Sequence, residues 1–477
     1  MKKANLLSWW RLSLVGVVYC IGLFASQSYA GIYTDSPEIA SGIPLKTFIP
    51  TDRIKSYLTP ESPPTAAETL FKDQNPLDFV LDGKFYGNLN YRYEHVDQNG
   101  FSNDATASTL RSRVGFVSGI YKDFQGAVEV DHIGTIGTSR YNSTINGKSQ
   151  FPVVADPHTT ELNALWLKWT GLPDTAVKFG RQPLNLDNLR FIGTVGWRQN
   201  DQTYDGVVFK NDTIRDLRFA KNLRFFYSYL YQVNRVFGHN SPVGKFKGDI
   251  HLGRIEYEVI PNQTFVAYTY WLDFDRHRNF ATEAISTKTY GLRFFGNLPL
   301  NSDFKLIYQI EGARQHDLGN NPNDFSLSYY HVAPGIAWRT LSFEAGIESL
   351  GSNGRQSFST PLATLHAHNG WADKFLVTPQ DGLQDRYLKL KYVTAGFGPW
   401  IDNTVIQLIY HDFNSVKGTT NFGNEWNASI TRDFSGQQLS LPPFIKKVSL
   451  GLKYADYDAK SLSTDTRKGW LWVGVTF

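Results

Sequence analysis

Basic side chains recur at alternate positions along this chain, and that spacing limits the chemistry they can do. Arg111 and Arg113, Lys389 and Lys391, and singly Arg224, Arg254, Arg293, Lys305 and Lys453 fall on the polar side of an apolar–polar alternation. A guanidinium can hold a carboxylate through two parallel hydrogen bonds, whereas an ammonium acts as a point charge. Rows of such groups let an anionic solute pass from one weak site to the next. The same faces carry Glu129, Asp131, Glu256, Glu311, Glu344 and Glu348. The competing expectation is therefore that the charges pair across strands and merely keep the surface wet.

Covalent chemistry finds little support. The nearest local acid–base pairs are His95 with Asp97 and His411 with Asp412. No Gly-x-Ser-x-Gly elbow, His-Glu-x-x-His helix or phosphate loop is present. His366 and His368 are two metal ligands without a third, which is a weak signal. No catalytic residue, metal or cofactor is assigned. An outer-membrane hydrolase and a structural or adhesive barrel stand as rival classes.

The elements that must position these charges are strands. Between Leu77 and His95, Phe79, Leu81, Phe85, Leu89, Tyr91 and Tyr93 share one face, while Asp82, Lys84, Asn88, Asn90, Arg92 and Glu94 share the other. This is lipid-out, water-in patterning over more than the 9–11 residues that a tilted membrane strand needs. Similar segments recur to give about 18 strands, an all-β antiparallel transmembrane barrel over 77–477. The last strand, Gly469–Phe477, puts Leu471, Val473, Val475 and Phe477 on one face. A terminal strand of this kind makes sense if it pairs with the first strand and meets lipid. It resembles the terminal strand that the barrel assembly machinery reads, so that machinery, outer-membrane lipid and lipopolysaccharide are the expected partners.

Composition agrees. The chain has 477 residues, 15% aromatic and only 19% charged, with 40 Gly, and no apolar run in its mature part suits a helical span. Residues 1–30 read as a signal peptide: Lys2, Lys3 and Arg11, the apolar run Leu12–Phe24, then Ser28-Tyr29-Ala30. Cys20, the single cysteine, lies inside that leader, so disulfides and Cys-bound metals are excluded from the mature protein. Removing the leader leaves 45 basic against 44 acidic residues, about +1, with no footprint for nucleic acid. Residues 31–76 carry seven prolines and read as a periplasmic tether or a plug.

Connection lengths alternate. Tyr121–Phe124, Thr170–Asp174, Pro261–Gln263 and Arg339–Thr340 are short, whereas Gly134–His158, Pro183–Gln202 and Gly351–Gln384 are long. Short periplasmic turns and long extracellular loops are the asymmetry expected of outer-membrane barrels. Asn211–Asn222 and Ser435–Lys447 are longer than that rule suggests, and are where a strand could be miscounted. A barrel this wide encloses water unless its loops fold inward, and loops this rich in aromatics and charges fold onto something, most simply the pore mouth.

The Gly180-Arg181-Gln182 strand end, Trp197-Arg198-Gln199-Asn200 with Tyr204-Asp205-Gly206, and Gly370-Trp-Ala-Asp-Lys-Phe375 resemble the alginate export family of outer-membrane proteins. That resemblance implies a monomeric 18-stranded barrel whose arginine-rich constriction selects a polyuronate. By position it makes Arg181 and Arg198 candidates for the constriction and Asp205 a balancing acid. The expected activity is passive, charge-selective diffusion of a hydrophilic solute, an anionic uronate oligosaccharide or small organic acid. A non-selective general porin is the alternative.

Overall fold

Alternation of apolar and polar residues converts directly into a wall with two different faces. The computed structural model describes residues 75–212, 223–277 and 281–477. The expected signal peptide with Cys20, and nearly all of the Pro-rich segment 31–76, lie outside the described residues. The wall begins with β1 (Lys84–Gln98), β2 (Ala105–Val117), β3 (Phe124–Arg140), β4 (Thr159–Trp169), β5 (Thr175–Gln182) and β6 (Thr203–Asn211). It continues with β7 (Leu223–Asn234), β8 (Lys245–Ile260), β9 (Gln263–Phe274), β10 (Thr287–Pro299), β11 (Phe304–Asp317) and β12 (Ser326–Trp338). It ends with β13 (Leu341–Leu350), β14 (Leu383–Val393), β15 (Val405–Asn414), β16 (Asn421–Ser435), β17 (Lys447–Ala459) and β18 (Thr466–Thr476).

Every strand pairs antiparallel with its chain neighbours, and β1 also pairs with β18, so the 18-stranded sheet closes on itself. Closure leaves no unpaired edge, which is what allows a sheet to sit in lipid. At the seam, Gly87 and Phe477 exchange two backbone hydrogen bonds of 3.0 Å each. Phe85, Val114, Phe179, Leu292, Leu388 and Leu471 project outward and are exposed. That apolar outer face is what a barrel wall set in lipid requires.

The first strand starts later than the alternation suggested. Asp78–Leu81 form one turn of helix, α1, rather than strand. The Asn75 side chain accepts the Leu77 N–H at 3.0 Å, and the Phe79 carbonyl accepts Gly119 N–H at 3.0 Å, tucking the turn against the barrel rim. Two strands depart from simple apolar–polar alternation, each for a local physical reason. In β4 the register shifts beside Asn163, so the alternation changes phase and Leu162 and Leu165 both face out. In β12 the inward Leu327 and Tyr329 are buried in an apolar core, so both faces are apolar. The long connection after Ser435 contains no strand, and the one after Asn211 runs through residues 213–222, outside the described residues. The tight turns at the opposite end from the long loops carry positive φ at Lys122, Asp123, Asn262 and Arg339. Two consecutive positive values, as at Lys122-Asp123, match the twist of a two-residue hairpin.

Candidate functional site: the loops inside the barrel

Three long connections, 141–158, 183–202 and 351–382, turn into the lumen, and two of them are joined by backbone. Gly193 N–H donates to the Leu362 carbonyl at 2.9 Å, and Thr364 N–H donates to the Leu189 carbonyl at 3.0 Å. The approach is close enough that a Cβ on Gly193 would lie 2.2 Å from Thr364 Oγ1, so the sequence needs glycine there. Phe191 enters an aromatic cluster with Tyr268, Tyr329 and Phe358, at centroid distances of 5.3, 5.5 and 6.1 Å. Ile192, Phe358, Leu362, Trp371 and Phe375 are buried against lumen-facing strand residues. At the level of these loops the barrel therefore has a packed interior.

Charged hubs fix the loops to the wall. Asp373 accepts from His366 Nδ1 at 2.7 Å, Lys468 Nζ at 2.8 Å and Arg198 Nη2 at 3.1 Å. Arg198 also donates to Glu94 at 3.0 Å. His366 stacks on Trp197 at 4.6 Å with the rings 6° from parallel. Lys453 Nζ lies 2.8 Å from His366 Nε2, between the Trp371 and Trp197 rings at 3.7 and 4.1 Å. The ammonium has only donors, so His366 Nε2 accepts and Nδ1–H donates to Asp373. Arg92 binds Asp156 and the Trp197 carbonyl, securing the 141–158 and 183–202 connections together.

Burial alone would raise the Asp373 carboxyl, but His366, Lys468 and Arg198 outweigh it and hold the group well below the usual carboxylate range. Burial, helped by Lys453, holds the His366 imidazole well below its ordinary value despite Asp373. His368 is pushed down to about 3, first by burial and then by Arg190. A histidine that binds its proton less readily when folded stabilises the folded state fully above its unfolded value of about 6.5, and loses that contribution as pH falls below it. Acidification below roughly pH 6.5 is thus expected to loosen the 351–382 connection. Limited proteolysis of that connection against pH checks this: cleavage should rise on acidification, and His366→Gln should lessen the rise, His368 keeping the remainder. A wild-type profile flat from pH 8 to pH 5 would refute it.

The arginines assigned from sequence face the lumen in most cases, but they are engaged. Arg113 grips Asp131 at 2.7 and 2.5 Å and Asp201 at 2.6 Å, while Arg111 lies 3.8 Å from Asp201 and donates to Asn88 at 2.8 Å. Arg254 pairs with Asp187 of the 183–202 connection at 2.8 Å and with Glu256, which also takes Arg224. Arg293 is buried 3.7 Å from Glu311. Arg198 is in the Asp373 hub, not in an open constriction. Arg181 and Asp205 form a two-pronged pair at 2.7 and 2.8 Å, with Gln232 and Asn234 also donating to Asp205. The next register pair, Gln182 and Tyr204, is buried toward the lumen core, so Arg181 and Asp205 project from the other face at the rim. Lys305 and Lys391 are half-buried and engaged. Lys389 is half-buried beside Glu344 in register and has no ion pair among the described residues.

Sequence reasoning passed over a second set of cations. Lys168 and Lys178 are register partners, Lys178 lies over Trp166 at 4.7 Å, and Lys210 is paired with Ala176 two residues away. Leu165, Leu167 and Phe179 face out, so these lysines face in. Among the described residues none of the three has an ion pair. Their signal was present in the alternation of Leu165, Leu167 and Trp169 with Trp166 and Lys168, but the phase change at Asn163 obscured it. The acids that matter most, Asp156, Asp201 and Asp373, sit in loops, where no periodicity assigns a direction.

No family model and no curated protein matches this chain by sequence. Solved structures do. Pseudomonas aeruginosa OpdK, solved with vanillate, superposes with a TM-score of 0.63 at 13% identity over 84% of this chain and 99% of that one. Acinetobacter baumannii OccAB4 gives 0.62 at 14% identity over 84% and 100%, and Pseudomonas aeruginosa OpdQ gives 0.60 at 14% over 83% and 99%. The fold is that of outer-membrane porins. Its likeness is to these barrels, and a link to the alginate export family finds no support among them.

Proposed function

We propose that the protein is a monomeric channel through the outer membrane for passive, charge-selective diffusion of a hydrophilic anion, a small organic acid or uronate oligosaccharide. The observation that carries this reading is the contrast between two sets of cations. The arginines at loop height are tied to carboxylates, whereas Lys168, Lys178 and Lys210 face the lumen beyond the packed loops with no ion pair among the described residues. Unneutralised ammonium groups on a water-filled wall attract a passing carboxylate without holding it tightly, which is what conduction requires. The likeness to a barrel solved with vanillate, itself a small aromatic carboxylate, favours the organic acid. The neutralised arginines favour the rival, a general porin, and one measurement separates the two.

That measurement is the reversal potential of the reconstituted protein in planar bilayers under a salt gradient. The wild type should prefer anions, and Lys168→Glu/Lys178→Glu should cut or invert that preference several-fold. Equal passage of anions and cations through the wild type would establish the general porin instead.

A further inference from the structure

The outer face is not uniform around the rim that carries the long loops. Near that end of β10 and β11, Lys288 is in register with Trp271 on one side and His316 on the other, and Arg314 is in register with Tyr290. The inward neighbours Thr287, Thr289, Ala313 and Gln315 are buried, so Lys288, Arg314 and His316 project outward. The only side-chain partner of Arg314 among the described residues is the Ser328 hydroxyl, and Lys288 has no ion pair among them. Below them the wall turns to lipid-facing Leu292 and Ile310, 55% and 50% exposed, while Trp271 and Tyr290 flank them with exposed rings. Basic groups just above an apolar band, with aromatic rings at the boundary, are the pattern that attracts anionic headgroups.

Several other basic groups of that rim stand beside an acid. Arg467 sits 3.3 Å from Asp456, Lys460 2.9 Å from Asp458, and His95 3.8 Å from Asp104. The β10–β11 patch is also bordered by a polar groove, lined by Tyr330, Ser349, Gln384, Arg386, Asn414 and Thr419. Arg386 donates to Gln384 at 2.7 Å and Gln384 donates to the Tyr330 hydroxyl at 3.3 Å, so the groove floor is a row of guanidinium, amide and hydroxyl groups. Such a row suits sugar hydroxyls better than acyl chains.

We propose that this arc of the outer wall docks a phosphorylated glycolipid of the outer leaflet, with Lys288 and Arg314 holding its phosphates and the adjoining groove taking its sugar. The long-loop end of the barrel faces the leaflet in which such a lipid resides. Charge complementarity selects the phosphates, and the hydroxyl and amide groups beside Arg386 separate a glycolipid from a simple anionic phospholipid.

The test is native mass spectrometry of the full, detergent-purified barrel titrated with bisphosphorylated lipid A, dephosphorylated lipid A, phosphatidylglycerol and inorganic phosphate. Bisphosphorylated lipid A should bind best. Lys288→Glu/Arg314→Glu should weaken it roughly tenfold or more, from about 1 kcal/mol per basic group near an anionic surface. Arg467→Glu, which alters a paired arginine on another arc, should leave it unchanged. All these side chains lie on the barrel's outer face, and retention of the heat-modifiable band on gels confirms folding. Undiminished binding by the double variant, equal binding of the dephosphorylated lipid or of phosphatidylglycerol, or equal loss in Arg467→Glu would overturn the proposal.

Discussion

Replacing Asp373 by alanine is expected to free the inner ends of the 183–202 and 351–382 connections and give a channel of larger, noisier conductance. Asp373 is the acceptor shared by His366, Lys468 and Arg198, and the paired side chains are between 6% and 9% exposed. Its removal leaves Lys468 and His366 without that partner, while Arg198 keeps Glu94 at 3.0 Å. Breaking a buried ion pair on one side costs roughly 3–5 kcal/mol, because the remaining charge stays desolvated. That exceeds what the few loop–loop backbone bonds contribute, at about 1 kcal/mol each. The wall should survive, since its ladders run between neighbouring strands and do not pass through the loops. Single-channel recording decides the matter. A conductance equal to wild type would show that the aromatic core, rather than this charged hub, keeps the loops seated.

The second large effect concerns closure. A Cβ on Gly87 would lie 2.3 and 2.4 Å from atoms of the Phe477 ring and 2.9 Å from the Arg113 carbonyl oxygen. Gly87 cannot retreat, because its backbone is held on one side by Phe477 and on the other by register with Val114. Gly87→Val should therefore prevent β1 and β18 from sealing. Overpacking by itself costs roughly 1–3 kcal/mol, and an unsealed sheet adds unpaired edge groups in lipid. Refolding into detergent, followed by gel mobility with and without heating, should show loss of the compact folded band. Trimming the other side with Phe477→Ala in the Gly87→Val background should restore part of it. Full refolding of the single variant would mean that the ring has room to move aside.

Much of the architecture was legible because membrane strands write their geometry with period 2. The count of 18, the closing role of Phe477 and the long loops folding inward all followed from alternation and connection length. The departures have local causes. Leu77–Leu81 alternates as a strand would, yet Asn75 bonds ahead of it and the segment coils into one helical turn. The extra residue at Asn163 reverses the inside–outside assignment partway along β4. The site was less legible because alternation shows which way a side chain points, not what meets it. Arg113 and Arg254 point inward as expected, but Asp201 and Asp187 arrive from a loop and neutralise them. Arg181 shows the complementary limit: it is followed by a buried Gln182 and so faces away from the lumen.

The meeting of the two inner connections has a consequence for assembly. Val195 N–H donates to Thr364 Oγ1 at 3.1 Å across 169 residues of chain, and Gln202 reaches the Leu362 carbonyl at 3.1 Å across 160. Each contact needs the strands that carry both segments to stand at the same height, so seating of the inner connections depends on long-range pairing in the sheet and not on local sequence alone.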